Sequence, residues 1–541
     1  MARTQIIFLT DGGIGPLEAG LLAHFRTAQP LWTLRFARTS GETVDFLETG
    51  APDAVVLGLS PLPGESAGAD LYLHIRRCCP TIPVILLAGS SQARLLRDTL
   101  LAETTADHLA GMELIPEGVF FREDLSGEGA FAHLESLLAA GLEKYGRVAN
   151  DTGILVTHGT DTMAWGFAYL RYALRDLRAN VAMTGSQIPL GGYFSDSDAL
   201  GNLRTAAFLL NRLRPARLFA VFNDGRSVFS GRLTKYRKWG EDAFEGRVIA
   251  SGPSGEVRPL RKDWVYIPYS DQRLKHLHLM RTGGTIESQR EEGSAEGLKP
   301  TGDFVWKYLT GSLGEFFEEA HRHDLFALDS SNMSFEEWAQ IARAIESIGA
   351  ARADTRFDPT VKPVFCNPLF TSDDYRAQFA ACGRGSILAG YGGGNAHVRP
   401  DSARSVLPSL RAAVSAGAFV AITSQVPLED YDAEYESGLA LLEAGGVPCG
   451  DLPLADAQVK LSYLLGHGDL LARAASDAGV DEQSLLAAAF LSGVSMRHAG
   501  SLHAFRRAGG RSIPARVLPY DPFAIKSFDE AIRAVAASLS S

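Results

Sequence analysis

Three short stretches of this 541-residue chain carry the residue types that acyl-transfer chemistry needs. His278-Leu279-Met280-Arg281-Thr282-Gly283-Gly284-Thr285-Ile286 runs from an apolar strand into a double glycine flanked by hydroxyls. Ile154-Leu155-Val156-Thr157-His158-Gly159-Thr160-Asp161-Thr162-Met163 repeats the plan with a carboxylate added, and Thr184-Gly185-Ser186 is a shorter version. Glycine lets the backbone turn sharply and bring its N–H groups close to a ligand, and a threonine hydroxyl beside it can act as nucleophile or donor. A hydroxyl is a weak nucleophile near neutral pH and needs a base, which in turn needs an orienting or charge-compensating partner. Asp161 supplies a carboxylate directly after Thr160, and Lys235 supplies an amine whose pKa falls if it is buried. A Thr-Lys-Asp relay parallels a Ser-His-Asp triad in logic. Taken singly, each piece also has a plainer reading: Gly-Gly-Thr as a tight turn, Asp161 as the cap of a helix beginning at Thr162, Lys235 as a solvated surface charge.

The elements that must position these turns are legible as short apolar runs: Gln5 to Leu9, Ala54 to Leu57, Pro83 to Leu87, Gly153 to Val156, Val181 to Thr184 and Leu218 to Phe222. They alternate with helical stretches, which predicts an α/β fold with a mainly parallel sheet. Ligands in such sheets bind beyond the carboxyl ends of the strands, where the Gly-Thr turns fall. Phe335, Trp338, Ile341, Ala342, Ile345 and Ile348 form an apolar stripe at helical spacing, and Ser334 with Glu337 opens that helix as a capping box. Asp329-Ser330-Ser331-Asn332 then occupies a strand-to-helix turn after Leu325 to Leu328, with a cap as its plainest role. Pro268 to Arg273 is a polar joint between two α/β blocks, a second break lies between Gly349 and Pro363, and the chain turns Ala- and Leu-rich and helical after about residue 480.

Composition narrows the function classes. The 52 Lys+Arg and 63 Asp+Glu give a formal charge of −11, which disfavours nucleic acid and anionic membranes because no basic field exists to release counterions. No stretch approaches the ~18 apolar residues of a membrane span, and Ile6 to Leu9 is too short for a signal-peptide core. Cys78, Cys79, Cys366, Cys382 and Cys449 form no disulfide framework and lack zinc-ligand spacing, so a reducing cytoplasm is expected.

The turns and their companions resemble the bacterial-type L-asparaginase/glutaminase family, whose two signatures correspond to Thr282-Gly283-Gly284-Thr285-Ile286 and His158-Gly159-Thr160-Asp161-Thr162-Met163. Further similarity lies in Asp329-Ser330-Ser331-Asn332-Met333 with Trp338, in Thr184 to Pro189 followed by Asp198-Ala199 and Asn202-Leu203, and in Lys235 before Asp242-Ala243-Phe244. Gly390-Tyr391-Gly392-Gly393-Gly394-Asn395, Ser424-Gln425 and Lys460-Leu461 resemble the family's carboxyl-terminal domain. The resemblance implies a two-domain parallel-sheet architecture and an amidohydrolase that converts L-asparagine, or L-glutamine, to the acid and ammonia without metal or organic cofactor. It implies Thr285 as the acylated residue, and Thr160, Asp161 and Lys235 as the relay. Ser330 and Ser331 would grip the substrate, the Gly159 and Gly284 turns would approach it closely, and Asn395 would matter if a neighbouring subunit completes the site of a homodimer or homotetramer.

The order of the motifs departs from the family. His158 to Lys235 precedes Thr282 to Trp338, so the halves of the amino-terminal catalytic domain are exchanged: 126–270 and 271–350 within 126–350, then a carboxyl-terminal domain at 362–480 and a helical extension at 481–541. Circular permutation accounts for this; duplication with loss is the alternative, in which Leu9-Thr10-Asp11-Gly12-Gly13-Ile14 is a worn copy of the first signature. Residues 1–125 also resemble a response-regulator receiver, with Gly58 in place of the phospho-accepting Asp. No Tyr stands between Glu287 and Trp306, where the family carries a lid tyrosine; Tyr308 is the nearest substitute. Two other functions stay open: a catalytically weak or inactive amino-acid-binding regulatory protein, and an amidase subunit that hands ammonia to an amidotransferase partner.

Overall fold

The computed structural model describes residues 4–9, 15–29, 32–37, 42, 54–58, 84–88 and 118–121. It then describes 152–494 apart from 191–196, 211–212, 215, 238–242, 252–257, 260–264, 267–272, 290–298, 301, 428–430 and 432–434, and finally 518, 521–524 and 527–540. The proposed worn motif at Thr10 to Ile14, Cys78 and Cys79, and nearly all of the joint from Pro268 to Arg273 lie outside the described residues.

The first block holds β1 (Thr4–Leu9), α1 (Gly15–Ala28), β2 (Trp32–Ala37), β3 (Ala54–Gly58), β4 (Val84–Ala88) and β5 (Gly118–Phe121). All pairings are parallel, in the order β2-β1-β3-β4-β5, which is the order of flavodoxin-type doubly wound sheets. Gly58 is the last residue of β3.

The second block is an eight-stranded sheet built from β6 (Thr152–Thr157), β7 (Asn180–Thr184), β8 (Leu218–Phe222), β9 (Ser227–Lys235), β10 (Phe244–Ser251), β11 (Arg258–Pro259), β12 (Leu274–Gly283) and β13 (Phe317–Leu328). Their order is β11-β10-β9-β8-β7-β6-β12-β13: parallel from β8 to β13, antiparallel from β8 to β11. Strands from either side of the proposed joint thus pair within one sheet. Ile154 and Val156 face one core and Leu155 the other, so β6 is apolar throughout because both of its faces are covered. Helix α2 (Met163–Ala173) contributes to the first core, α3 (Ala199–Leu210) and α4 (Phe304–Ser312) to the second. Each large apolar side chain so buried contributes roughly 1.5–3 kcal/mol. Helix α5 (Phe335–Ser347) begins at the expected capping box, with Ser334 N–H donating to Glu337 Oε2 at 2.7 Å, and buries Trp338, Ile341, Ala342 and Ile345.

A third sheet, four-stranded and parallel, follows: β14 (Lys362–Phe365), α6 (Ser372–Ala380), β15 (Gly385–Gly390), α7 (Leu407–Ser415), β16 (Phe419–Ser424), α8 (Glu436–Glu443) and β17 (Val447–Pro448). Helices α9 (Leu454–Gly466), α10 (Gly468–Ala478), α11 (Glu482–Leu491) and α12 (Phe528–Ser540) close the fold. Buried and partly buried charges tie α9 and the segment at Asp521 to α2. Lys460 Nζ lies 2.9 Å from Asp521 and donates to Ser492 O at 2.6 Å, Tyr172 Oη donates to Asp521 at 2.8 Å, and Arg171 pairs with Asp456 at 2.6 Å. Among the described residues no helix is long and apolar enough to cross a membrane.

Candidate active site

Register alone brings the chemistry-bearing turns together. In the large sheet Thr157 pairs with Arg281 on one side and with Thr184 on the other, and Gly283 pairs with Leu328. The segments that leave these strands, His158 to Asp161, Gly284-Thr285, Asp329-Ser330 and Gly185-Ser186, therefore emerge at one level on one edge. Hydrogen bonds lock the level: Thr282 Oγ1 donates to Thr157 O at 2.6 Å, His158 N–H to Thr184 O at 2.8 Å, and Gly284 N–H to Leu328 O at 2.9 Å.

Two glycines are needed where the turns touch. Gly284 has φ +78°, and a Cβ there would lie 2.5 Å from the backbone of Gly159; a Cβ on Gly159 would lie 2.5 Å from Ser330 Oγ. The Gly284 and Gly159 turns thus meet backbone to backbone, and the Ser330 side chain packs against Gly159, with no room for a further side chain at either glycine. Thr285 opens a short 3₁₀ turn (Thr285–Glu287) directly after Gly284 and is half-buried. Ser330 is buried and its carbonyl accepts from Thr162 Oγ1 at 2.7 Å. Ser331 is exposed, and both its N–H and its hydroxyl are held by the capping carboxylate of Asp329 at 2.9 and 2.8 Å.

Lys235 comes to the same place from β9, whose pairing is interrupted by a bulge between Phe229 and Leu233, with Gly231 at φ +86°. Its Nζ donates to Thr160 Oγ1 and to Asp161 Oδ1, both at 2.8 Å. The plain alternatives for these residues give way. Lys235 keeps only 16% of its side-chain exposure, and the cap position of α2 belongs to Thr162, with Asp161's carboxylate committed to the lysine.

Several supporting residues were named in the sequence only as parts of motifs, or not at all, and had no role assigned. His158 is fully buried, accepting from Trp338 Nε1 at 3.1 Å on Nε2 and meeting Gly159 O at 2.7 Å through Nδ1. A neutral imidazole protonated at Nδ1 satisfies both bonds, and burial holds its pKa down at about 4. Asp198 accepts from the N–H groups of Gln187 and Ile188 at 3.0 Å, and Asn202 Nδ2 donates to Gly185 O at 3.0 Å, which stitches the third turn to α3. Beneath the Thr285 turn, buried Arg281 grips buried Glu287 through Nε at 2.9 Å, donates to Gly302 O at 2.6 Å, and pairs with Asp324. Burial raises the Glu287 carboxyl, opposed by the Arg281 guanidinium. The only hint in the sequence is an arginine inside an apolar strand with a carboxylate six residues on.

Asn395 sits elsewhere, in the turn after β15, where Nδ2 donates to Gly392 O at 2.7 Å and Oδ1 accepts from Ser437 at 2.6 Å. Tyr308 lies on α4, packed against the second core, and residues 290–298 of the expected lid lie outside the described residues.

Residues 120–267 and 276–355 match the asparaginase N-terminal domain, and 361–475 match the glutaminase/asparaginase C-terminal domain. The chain is 24% identical over 320 residues to a glutamyl-tRNA(Gln) amidotransferase component of Pyrococcus horikoshii, covering 59% of this chain and 55% of that protein. It is 24% identical over 316 residues to an L-asparaginase of Thermococcus kodakarensis, covering 58% and 70%. The chain thus spans about half the length of the amidotransferase components it matches. A solved structure, the thermostable L-asparaginase from Thermococcus kodakarensis, aligns over 86% of this chain and 93% of that chain at 18% identity, with a TM-score of 0.37.

Proposed function

Because this chain belongs to the asparaginase family through both its N-terminal and its C-terminal domain, we propose that it hydrolyses the side-chain amide of L-asparagine, or of L-glutamine, to the acid and ammonia through a threonine acyl-enzyme. The observation that carries the reading is the contact of Gly284 with Gly159, which sets the Thr285 turn against the turn whose Thr160 and Asp161 are bonded to Lys235.

In this reading Thr285 Oγ attacks the amide carbon. Its proton passes through Thr160 and Lys235, with Asp161 compensating charge, and is delivered to the departing nitrogen as the C–N bond breaks. Backbone N–H groups of the Gly159 and Gly284 turns hold the oxyanion, where one such donor is worth about 3–4 kcal/mol. Water then attacks the ester, releasing the acid and restoring the Thr285 hydroxyl. Ser330 receives the α-carboxylate, with Ser331 beside it. One methylene distinguishes the two amides and is worth only ~1–3 kcal/mol, so the preference is set by pocket shape. The same reading includes the exchanged halves 126–270 and 271–350, the carboxyl-terminal domain at 362–480 and the extension at 481–541. It also includes a receiver-like docking domain at 1–125, a homodimer or homotetramer with Asn395 near a neighbour's site, and residence in the cytoplasm.

A second reading has an observation of its own: the Pyrococcus horikoshii relative is part of an amidotransferase, which suggests that ammonia is handed to a partner protein. Ammonia release from L-asparagine and L-glutamine by the purified chain tests both. Turnover by the chain alone supports the hydrolase. Turnover only after a second protein is added selects the amidotransferase role, and binding of either amide without turnover in any mixture overturns both in favour of a regulatory binding protein.

A further inference from the structure

The outer pair of strands in the large sheet carries a second constellation that the proposed reaction does not use. His276 and His278 alternate along β12, and Glu319, His321 and His323 along β13; the parallel register sets His276 opposite Glu319 and His278 opposite His321. With a side-chain period of two, all five lie on the same face. His276 Nδ1 is 3.0 Å from His321 Nε2, and Glu319 Oε2 is 3.3 Å from the first and 3.7 Å from the second. A further rung stands beside it, His278 Nδ1 at 2.9 Å from His323 Nε2, with the His278 and His321 rings stacked at 4.6 Å.

These separations are those of one face of a coordination shell. Zinc–nitrogen and zinc–oxygen bonds of about 2.0–2.2 Å arranged tetrahedrally put neighbouring ligand atoms roughly 3.3–3.6 Å apart. The three observed edges straddle that spacing, so a cation can be seated without moving the backbone. Two imidazoles and one carboxylate suit a borderline first-row divalent ion and not Mg²⁺ or Ca²⁺, which take oxygen. The side chains retain 41%, 65% and 39% of their exposure for His276, Glu319 and His321, which leaves the fourth position open to water. Both strands are rigid elements with a fixed register, which lowers the cost of assembling the ligands.

We propose that His276, Glu319 and His321 form a surface Zn²⁺-class site that clamps β13 to β12, with His278 and His323 as the adjacent rung. Among the described residues β13 is the edge of the sheet and pairs with β12 alone, and it leads into Asp329 and Ser330. The clamp therefore braces the strand that leads into Ser330 against the strand that leads into Thr285.

The test is calorimetric titration of the chelator-treated full-length chain with ZnCl₂, paired with thermal melting. The expected result is one site per chain with a dissociation constant of about 10 μM or tighter, and a melting temperature that rises with Zn²⁺. His321→Gln and Glu319→Gln, both at partly exposed positions, should each weaken binding about tenfold or more and remove the Zn²⁺-dependent rise while melting like the parent without metal. Parent-like Zn²⁺ binding by both variants would assign the metal to other histidines and overturn the proposal, as would a parent chain that binds no Zn²⁺ below millimolar concentration.

Discussion

Two lysines of this chain make opposite use of one ammonium group. Lys235 reaches the turn cluster from a bulged strand, keeps a sixth of its side-chain exposure, and spends its bonds on a threonine hydroxyl and on an Asp161 carboxylate that is 65% exposed. Lys460 is 1% exposed on α9 and spends its bonds on Asp521 and Ser492 O, tying the end of the chain to the body of the fold. Burial lowers the Lys460 pKa, with Asp521 opposing the shift, and Lys460 in turn holds the Asp521 carboxyl down. Both lysines lie in stretches that resemble the family, so resemblance does not separate their roles. Surroundings do: Lys235, bonded to a hydroxyl and to an exposed carboxylate, suits the proton relay proposed above, whereas Lys460, sealed against its counter-ion, suits docking.

The contrast breaks most sharply on activity. Thr285→Ala should lower kcat for amide hydrolysis by about 10⁴-fold or more while leaving the melting profile within about 1 kcal/mol of the parent. Lys235→Met should cost about 10²–10⁴-fold in kcat and little stability, because its ion-pair partner is exposed. Lys460→Met should do the reverse. It leaves the partly buried Asp521 without its counter-ion and costs up to about 3–5 kcal/mol in urea unfolding, with near-parent turnover per folded molecule. A stability loss for Lys235→Met as large as that for Lys460→Met would erase the distinction between the two lysines.

His158 sharpens the comparison by a pH route. Its pKa is about 4 in the folded chain against 6.5 unfolded, so between these values the unfolded chain binds more protons. Its contribution to stability is complete above pH 6.5 and is lost as pH falls toward 4, by about 3 kcal/mol in all. His158→Gln should flatten this part of the stability–pH curve relative to the parent. The smallest effect is expected at Gly284→Ala. The positive φ and the contact with Gly159 predict about 1–3 kcal/mol of destabilisation, together with a fall in kcat from displacement of Thr285.

Much of the sheet that carries the candidate site was legible in the sequence because its signals are local. The strands ending before His158, Gly185 and Gly284 are apolar runs closed by glycine, and Ser334 with Glu337 announces α5 within four residues. What escaped depends on register. Arg281 reads as one charge in a strand until Glu287, Gly302 and Asp324 are seen to surround it. His276-Leu277-His278 and His321-Arg322-His323 read as alternation until β12 and β13 are known to be parallel neighbours. In the first block the strand at Ala54–Gly58 and its neighbours came from apolar composition, whereas the order β2-β1-β3-β4-β5 needed the fold.

The proposal that Thr285 is the acylated residue, served by Thr160, Asp161 and Lys235, is tested most directly by acid-quenched peptide mass spectrometry of the full chain during turnover of L-asparagine. An aspartyl ester is expected on the peptide carrying Thr285, accumulating when Lys235 is replaced by Met if deacylation is slowed more than acylation, and absent in Thr285→Ala. An ester on Thr160, or undiminished turnover by Thr285→Ala, would contradict this assignment.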